Sequence, residues 1–150
     1  TDNGRAVYGG GGISPDETVN QRTVNLTQRR LLSPTFAFTR ELVNGRIRGL
    51  EAMRMTGPLK FRHNLKADEL KVTDAMFKAF RDFVAADPGF KVSTAMVDRN
   101  RAFIELEMRT NLVTAAHGRV IGDRVFIMSS DPQVAKAVDV LPRARELSQR

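Results

Sequence analysis

The sequence predicts a mainly α fold: a helical domain over residues 28–150, preceded by a small β segment of one or two strands within residues 1–27. Three observations predict it. Apolar residues recur at three- and four-residue spacing from Val72 onward, the period of a helix with one buried face. Capping residues stand directly before a proline or an acidic residue at Ser33-Pro34, Thr73-Asp74 and Asp131-Pro132, as they do where helices start. Loose alternation with β-branched residues is confined to residues 5–8 and 17–26, on either side of the glycines Gly9 to Gly12, which suits short strands. Two such strands bury almost no apolar area by themselves, so they are expected to belong to a larger sheet.

The elements follow in order. Ser33 as cap and Pro34 at the first helical position predict a helix over 34–44, with Phe36, Leu42 and Val43 as its apolar positions and Asn44-Gly45 as its stop, because glycine takes the left-handed conformation at little cost. Residues 45–66 hold three glycines and a proline and are expected to be an irregular connection with at most a short helix. Thr73 is the expected cap of the next helix, with Asp74 in its first turn and Val72 and Phe77 spaced as a hydrophobic staple. Met76, Phe77, Phe80, Phe83 and Val84 form one apolar face, and Asp87-Pro88-Gly89 ends the run. Such a phenylalanine stripe is expected to be core rather than a ligand box. A further helix is expected from Ser93 to about Ala116, with Met96, Phe103, Ile104, Leu106, Met108, Leu112 and Val113 facing the core and Gly118 ending or bending it. Residues 119–128 are assigned to helix although their β-branched content also suits a strand. The last helix starts at Asp131-Pro132 and carries Val134, Val138 and Leu141 at helical spacing, with Pro142 expected to kink or interrupt it.

Composition narrows the chemistry. The 150 residues are 41% hydrophobic and 27% charged, ordinary globular usage, and no stretch approaches the roughly 20 apolar residues of a membrane helix. There is no cysteine, which removes disulfides, thiolate metal sites and cysteine nucleophiles together. The two histidines, His63 and His117, stand apart without a metal-ligand spacing, so no metal site is expected. His63 lies in a basic stretch and is expected to be solvated; His117 is expected at a helix end, where it faces the last carbonyls. The net charge is +7, and residues 46–66 contribute Arg46, Arg48, Arg54, Lys60, Arg62 and Lys66 against Glu51 alone. That stretch permits a basic, partner- or nucleic-acid-binding helical module as the alternative function. One tyrosine, no tryptophan and no recognised motif argue against nucleic acid as the partner.

The glycine run does not make a nucleotide site. A P-loop needs GxxxxGK[ST], and here Ile13 and Ser14 follow the glycines; a dinucleotide loop fails because position 14 is serine. Pro15 and the strand-like residues after it provide no helix N-terminus to hold a phosphate. For nucleophilic catalysis there is no Ser-x-x-Lys, and Ser14, Ser33, Ser93, Ser129, Ser130 and Ser148 lack a nucleophile-like setting. Glu105 and Glu107, two apart on a helix, face different ways. No catalytic, cofactor-binding or metal-binding residue is therefore expected in this chain.

Residues 4–16, in which Gly4 is followed by RAVYGGGGISPD, resemble the stretch that closes the protease core in the carboxyl-terminal processing peptidases, or tail-specific proteases, a family of serine peptidases. Gly4, Arg5, Val7, Tyr8, Gly9 to Gly12, Ile13, Pro15 and Asp16 fall on that pattern. The chain departs from it at Asp2-Asn3, where Pro-Ser is commoner, and at Ser14, a tolerated position. LSPTFAFTRELVNG, LKVTDAMFKAFRDFV and DPQVAKAVDVL resemble, more loosely, the helical tail of one branch of the family. The resemblance implies that residues 1–27 are a β remnant of a peptidase core and residues 28–150 a helical C-terminal domain. It implies a Ser-Lys dyad, with lysine as general base, and oxyanion donors upstream of this segment, in a parent acting on protein or peptide substrates outside the cytoplasm. The start at Thr1, just before a strand, is what a fragment predicts. The chain itself is then expected to be inactive, to pack beside or regulate the core, and to be compatible with self-association through its helices.

Overall fold

The computed structural model describes residue 15 and residues 17–148. Among them are six α-helices: α1 Leu26–Val43, α2 Asp74–Ala86, α3 Thr94–Arg99, α4 Arg101–His117, α5 Arg119–Ser130 and α6 Pro132–Ser148. Short 3-10 turns form at Glu51–Met53 and Pro88–Phe90. The mainly helical class is as predicted. No helix among the described residues is long and apolar enough to cross a membrane.

The chain divides into two compact units. One comprises residues 22–131 and contains α1 to α5. The other comprises residues 1–21 with residues 132–150; in it Gln133 donates to the Val19 carbonyl at 3.2 Å, and Lys136 and Arg143 of α6 pair with Glu17 at 3.4 and 3.7 Å.

The expected strand over 17–26 does not form; residues 18–25 are irregular and α1 begins at Leu26. No partner strand lies alongside among the described residues. Instead Val24 packs against the core, and the Arg22 guanidinium lies over the rings of Phe103 and Phe126 at 5.8 and 5.9 Å. The other expected strand, residues 5–8, and the glycine run lie outside the described residues.

The start of α1 also differs from its expected place at Ser33-Pro34. Asn25 and Gln28 form a reciprocal capping box, with Gln28 N–H donating to Asn25 Oδ1 at 2.9 Å and Asn25 N–H to Gln28 Oε1 at 3.1 Å. That pair satisfies two N-terminal donors, and the helix runs on through a buried Pro34. Next to the proline, the Thr35 hydroxyl donates to the Leu31 carbonyl at 2.7 Å and Thr39 to that of Thr35 at 2.8 Å. The longer helix turns Leu31, Phe38 and Leu42 inward and leaves Phe36 59% exposed. Its stop at Asn44-Gly45 is as predicted, Gly45 having φ +72°.

Thr73 caps α2 through the Met76 N–H at 3.2 Å, and Ser93 caps α3 through that of Met96, also at 3.2 Å. The single helix expected from Ser93 to Ala116 is two, α3 and α4, broken at Asn100, whose side-chain amide donates to the Met96 carbonyl at 2.8 Å. The phenylalanine stripe of α2 is core, as predicted. Met76, Phe77, Phe80 and Val84 are buried with Leu31, Phe38 and Leu42 of α1, Val97 of α3, and Phe103, Ile104, Met108 and Leu112 of α4. Phe38 meets Phe80 and Phe83 edge-on, both at 5.5 Å between centroids, the favoured aromatic arrangement. A smaller cluster of Val113, Ile121 and Val125 joins α4 to α5. Residues 119–128 are helical, as assigned. The expected interruption at Pro142 does not occur, since α6 continues through it to Ser148.

Candidate functional site

Three polar side chains far apart in the sequence meet at the C-terminal end of α4. His117 is the last residue of that helix. Gly118 ends it at φ +86°, with its N–H donating to the Thr114 carbonyl at 2.9 Å. The irregular segment after α1 is fastened there by main-chain bonding, the Lys60 N–H donating to the Ala116 carbonyl at 3.1 Å. A turn closed by the His63 N–H on the Lys60 carbonyl, at 3.1 Å, then lays the His63 ring on that of His117. The two imidazoles stack with centroids 4.1 Å apart and planes 12° from parallel.

Glu69 supplies the third group. Its turn is closed by its own N–H on the Lys66 carbonyl at 3.1 Å and followed by Leu70 at φ +52°, a left-handed conformation that costs a branched residue about 1–2 kcal/mol. Burial holds Leu70 there, because it packs against both apolar clusters. Arg109 of α4 secures the same turn from the helix side, its Nη2 donating to the carbonyls of Ala67 at 2.9 Å and Glu69 at 3.4 Å. The Glu69 carboxylate is therefore placed by main-chain geometry rather than left to wander.

His63 Nε2 lies 2.7 and 2.8 Å from the two Glu69 oxygens, and His117 Nε2 lies 3.4 Å from Oε1. The Lys66 N–H adds a bond to Oε2 at 3.3 Å. The His63 hydrogen bond, more than any other contact, holds the Glu69 carboxyl below the usual range; partial burial opposes this, and the Lys66 N–H and the two imidazoles assist it. His117 is only 6% exposed, whereas His63 and Glu69 are 31% and 29% exposed. The Nδ1 of His117 is buried without a protein hydrogen-bond partner. One donor atom from each of His63, Glu69 and His117 lies within 4.8 Å of the others, a set of two imidazoles and a carboxylate that can hold a divalent metal. Among the described residues no hydroxyl hydrogen-bonds either imidazole.

The remaining sequence candidates are placed singly. Ser93 is a cap, Ser130 donates to the Phe126 carbonyl at 2.7 Å, and Ser33 is exposed on α1. Ser14 lies outside the described residues. Ser129 lines a groove of about 630 Å³ with Arg22, Lys71, Asn100, Phe103, Glu105 and Arg109 among its other walls. Glu105 pairs with Arg101 at 2.7 Å, and Arg101 also pairs with Asp74 and lies over the Phe77 ring at 4.6 Å. Glu107, on another face of α4, is half-buried, and burial raises its carboxyl against a weaker pull from Arg22.

Sequence reasoning leaves the two histidines isolated and His63 solvated; the fold makes them neighbours on one carboxylate. The signals are faint. Gly118 predicts where α4 stops and hence where His117 sits, but the path of residues 57–70 depends on tertiary bonds that no local pattern encodes. No protein-family model, curated protein or solved structure matches this chain.

Proposed function

We propose that this chain is the C-terminal portion of a carboxyl-terminal processing serine peptidase, a helical part that packs beside or regulates a catalytic core and does not itself cleave peptide bonds. The observation that carries this reading is the segment at residues 4–16, Gly4 and then RAVYGGGGISPD, whose glycine run fits a close crossing of backbones and matches neither nucleotide-binding loop. The looser tail-like segments fall on helices that the fold forms. LSPTFAFTRELVNG ends α1, LKVTDAMFKAFRDFV leads into and fills α2, and DPQVAKAVDVL opens α6. In the parent protein the Ser-Lys dyad and oxyanion donors lie upstream, and its substrates are proteins or peptides outside the cytoplasm.

Two measurements test the proposal. Incubated with fluorescently labelled unfolded casein, the chain is expected to release no fragments; cleavage abolished by Ser129→Ala or by another of its own serine substitutions overturns the assignment. Read upstream of Thr1, the gene is expected to encode a serine embedded in a core with a lysine on the following element. An unrelated domain in that position refutes the peptidase reading.

A further inference from the structure

We propose that His63, Glu69 and His117 form a site for one borderline divalent cation of the zinc class, which clasps the segment before α2 to the end of α4. The site rests on the geometry of these three residues and stands or falls independently of the peptidase reading.

The donor set comes first. Two imidazole nitrogens and one carboxylate are the ligands of three-residue zinc sites, which leave a fourth position to water or another ligand. At metal–ligand distances of about 2.0–2.2 Å, tetrahedral donors lie about 3.4 Å apart. His117 Nε2 and Glu69 Oε1 already have that separation, at 3.4 Å, while His63 Nε2 is closer to the carboxylate, at 2.7 Å. For these two pairs the change needed is below about 1 Å, and all three donor atoms already lie within 4.8 Å of one another. Opening the site also asks His63 to tilt out of its stack on His117, because parallel rings aim their lone pairs in parallel. His63 is the ring free to do so, being 31% exposed on an irregular segment, whereas His117 is 6% exposed at a helix end.

The second support is the state of His117. Its Nδ1 has no protein partner, and its Nε2 is 3.4 Å from the nearest carboxylate oxygen, beyond the range of a strong hydrogen bond. A polar ring this buried ordinarily has its hydrogen bonds made. A cation bonded to Nε2 gives that nitrogen the close partner it lacks, and leaves Nδ1 as the protonated nitrogen of the ring. The third is preorganisation: Arg109 on the Ala67 and Glu69 carbonyls, and the Lys60 bond to Ala116, hold both sides of the site without using the donor atoms.

The test uses the full chain without an affinity tag, stripped with a chelator and titrated with zinc chloride in a calorimeter. One equivalent is expected to bind and to raise the thermal midpoint, with magnesium chloride giving neither effect, since magnesium prefers oxygen cages. Cobalt(II) is expected to give visible d–d bands of a tetrahedral site. His63→Gln and Glu69→Gln, both at partly exposed positions and checked for retained helix by circular dichroism, are expected to weaken zinc binding on the order of tenfold or more. The chain has only two histidines, so long-range nitrogen-15 spectra must show both imidazoles perturbed by zinc. No uptake by the wild type, uptake that both substitutions leave unchanged, or perturbation of one imidazole alone overturns the site and leaves a hydrogen-bonded cluster.

Discussion

His63 and His117 stack face to face with 4.1 Å between ring centroids, and both direct Nε2 at one carboxylate, that of Glu69. The contact ties an irregular, basic connection to the end of a buried helix. It also concentrates three titratable groups where the surrounding main chain is already fixed by Arg109 and Lys60. Such a cluster makes the local stability of residues 60–70 depend on pH.

The direction of that dependence follows from Glu69, whose carboxyl is held below its ordinary value chiefly by the His63 hydrogen bond. A lowered folded-state value contributes stability that is fully present above the unfolded value, about 4.3, and is lost as pH falls through the folded value. Under chelator, Glu69→Gln is expected to unfold at lower urea than the wild type at pH 7, with the gap closing on acidification below pH 4. A gap independent of pH shows that the carboxylate charge is irrelevant to the cluster.

Gly118 permits the chain to leave α4 towards α5 at φ +86°, and a Cβ there would stand 2.9 Å from the Phe61 ring. Phe61 is exposed and can yield, so the backbone conformation is the larger obstacle. Gly118→Ala is expected to cost about 1–2 kcal/mol. Phe61→Ala in the same chain should restore only a small part of it, as a double-mutant cycle in denaturant would show. Full rescue by Phe61→Ala makes the clash, and not φ, the cause.

The helices and the site differ in how far local patterns reveal them. The α2 face is legible because Met76, Phe77, Phe80 and Val84 repeat at the helical period and Thr73 caps them, all within one short window. The start of α1 departs from expectation for a physical reason: Ser33-Pro34 is a good start signal, but the Asn25–Gln28 box is an equally local one, and burial of Leu31, which lies in the added stretch, rewards the longer helix. The break at Asn100 is made locally, by its side-chain amide on the Met96 carbonyl, and α6 runs through Pro142 among exposed residues. The histidine cluster is hidden because its members are joined only by the route of residues 57–70, an irregular path without periodicity. Leu70 is the clearest case: nothing local asks a leucine to adopt φ +52°, and only its packing against both apolar clusters does.

Gly122 lets α5 approach α4. A Cβ there would collide with the Thr114 hydroxyl and lie 3.1 Å from the Thr110 carbonyl oxygen, a backbone atom that cannot turn aside. Gly122→Ala is expected to destabilise by about 1–3 kcal/mol despite alanine's better helix propensity. Thr114→Ala in the same background should recover part of the loss, because the carbonyl contact persists. A more stable Gly122→Ala protein, measured by urea midpoint, means that the two helices are not packed this closely.

Glu107 provides the opposite sign from Glu69. Burial raises its carboxyl above the ordinary value, with Arg22 only partly offsetting the effect. A folded value above the unfolded one means that carrying the charge at neutral pH opposes folding, and that this penalty develops as pH rises above about 4.3 through the folded value. Glu107→Gln keeps the shape and removes the charge, so it is expected to raise the thermal midpoint at pH 7. Below pH 4, where the carboxyl is protonated in both states, the two proteins should melt together. A lower midpoint for Glu107→Gln at pH 7 means that attraction to Arg22 outweighs desolvation, and places the Glu107–Arg22 pair among the interactions that hold α4 to the segment before α1.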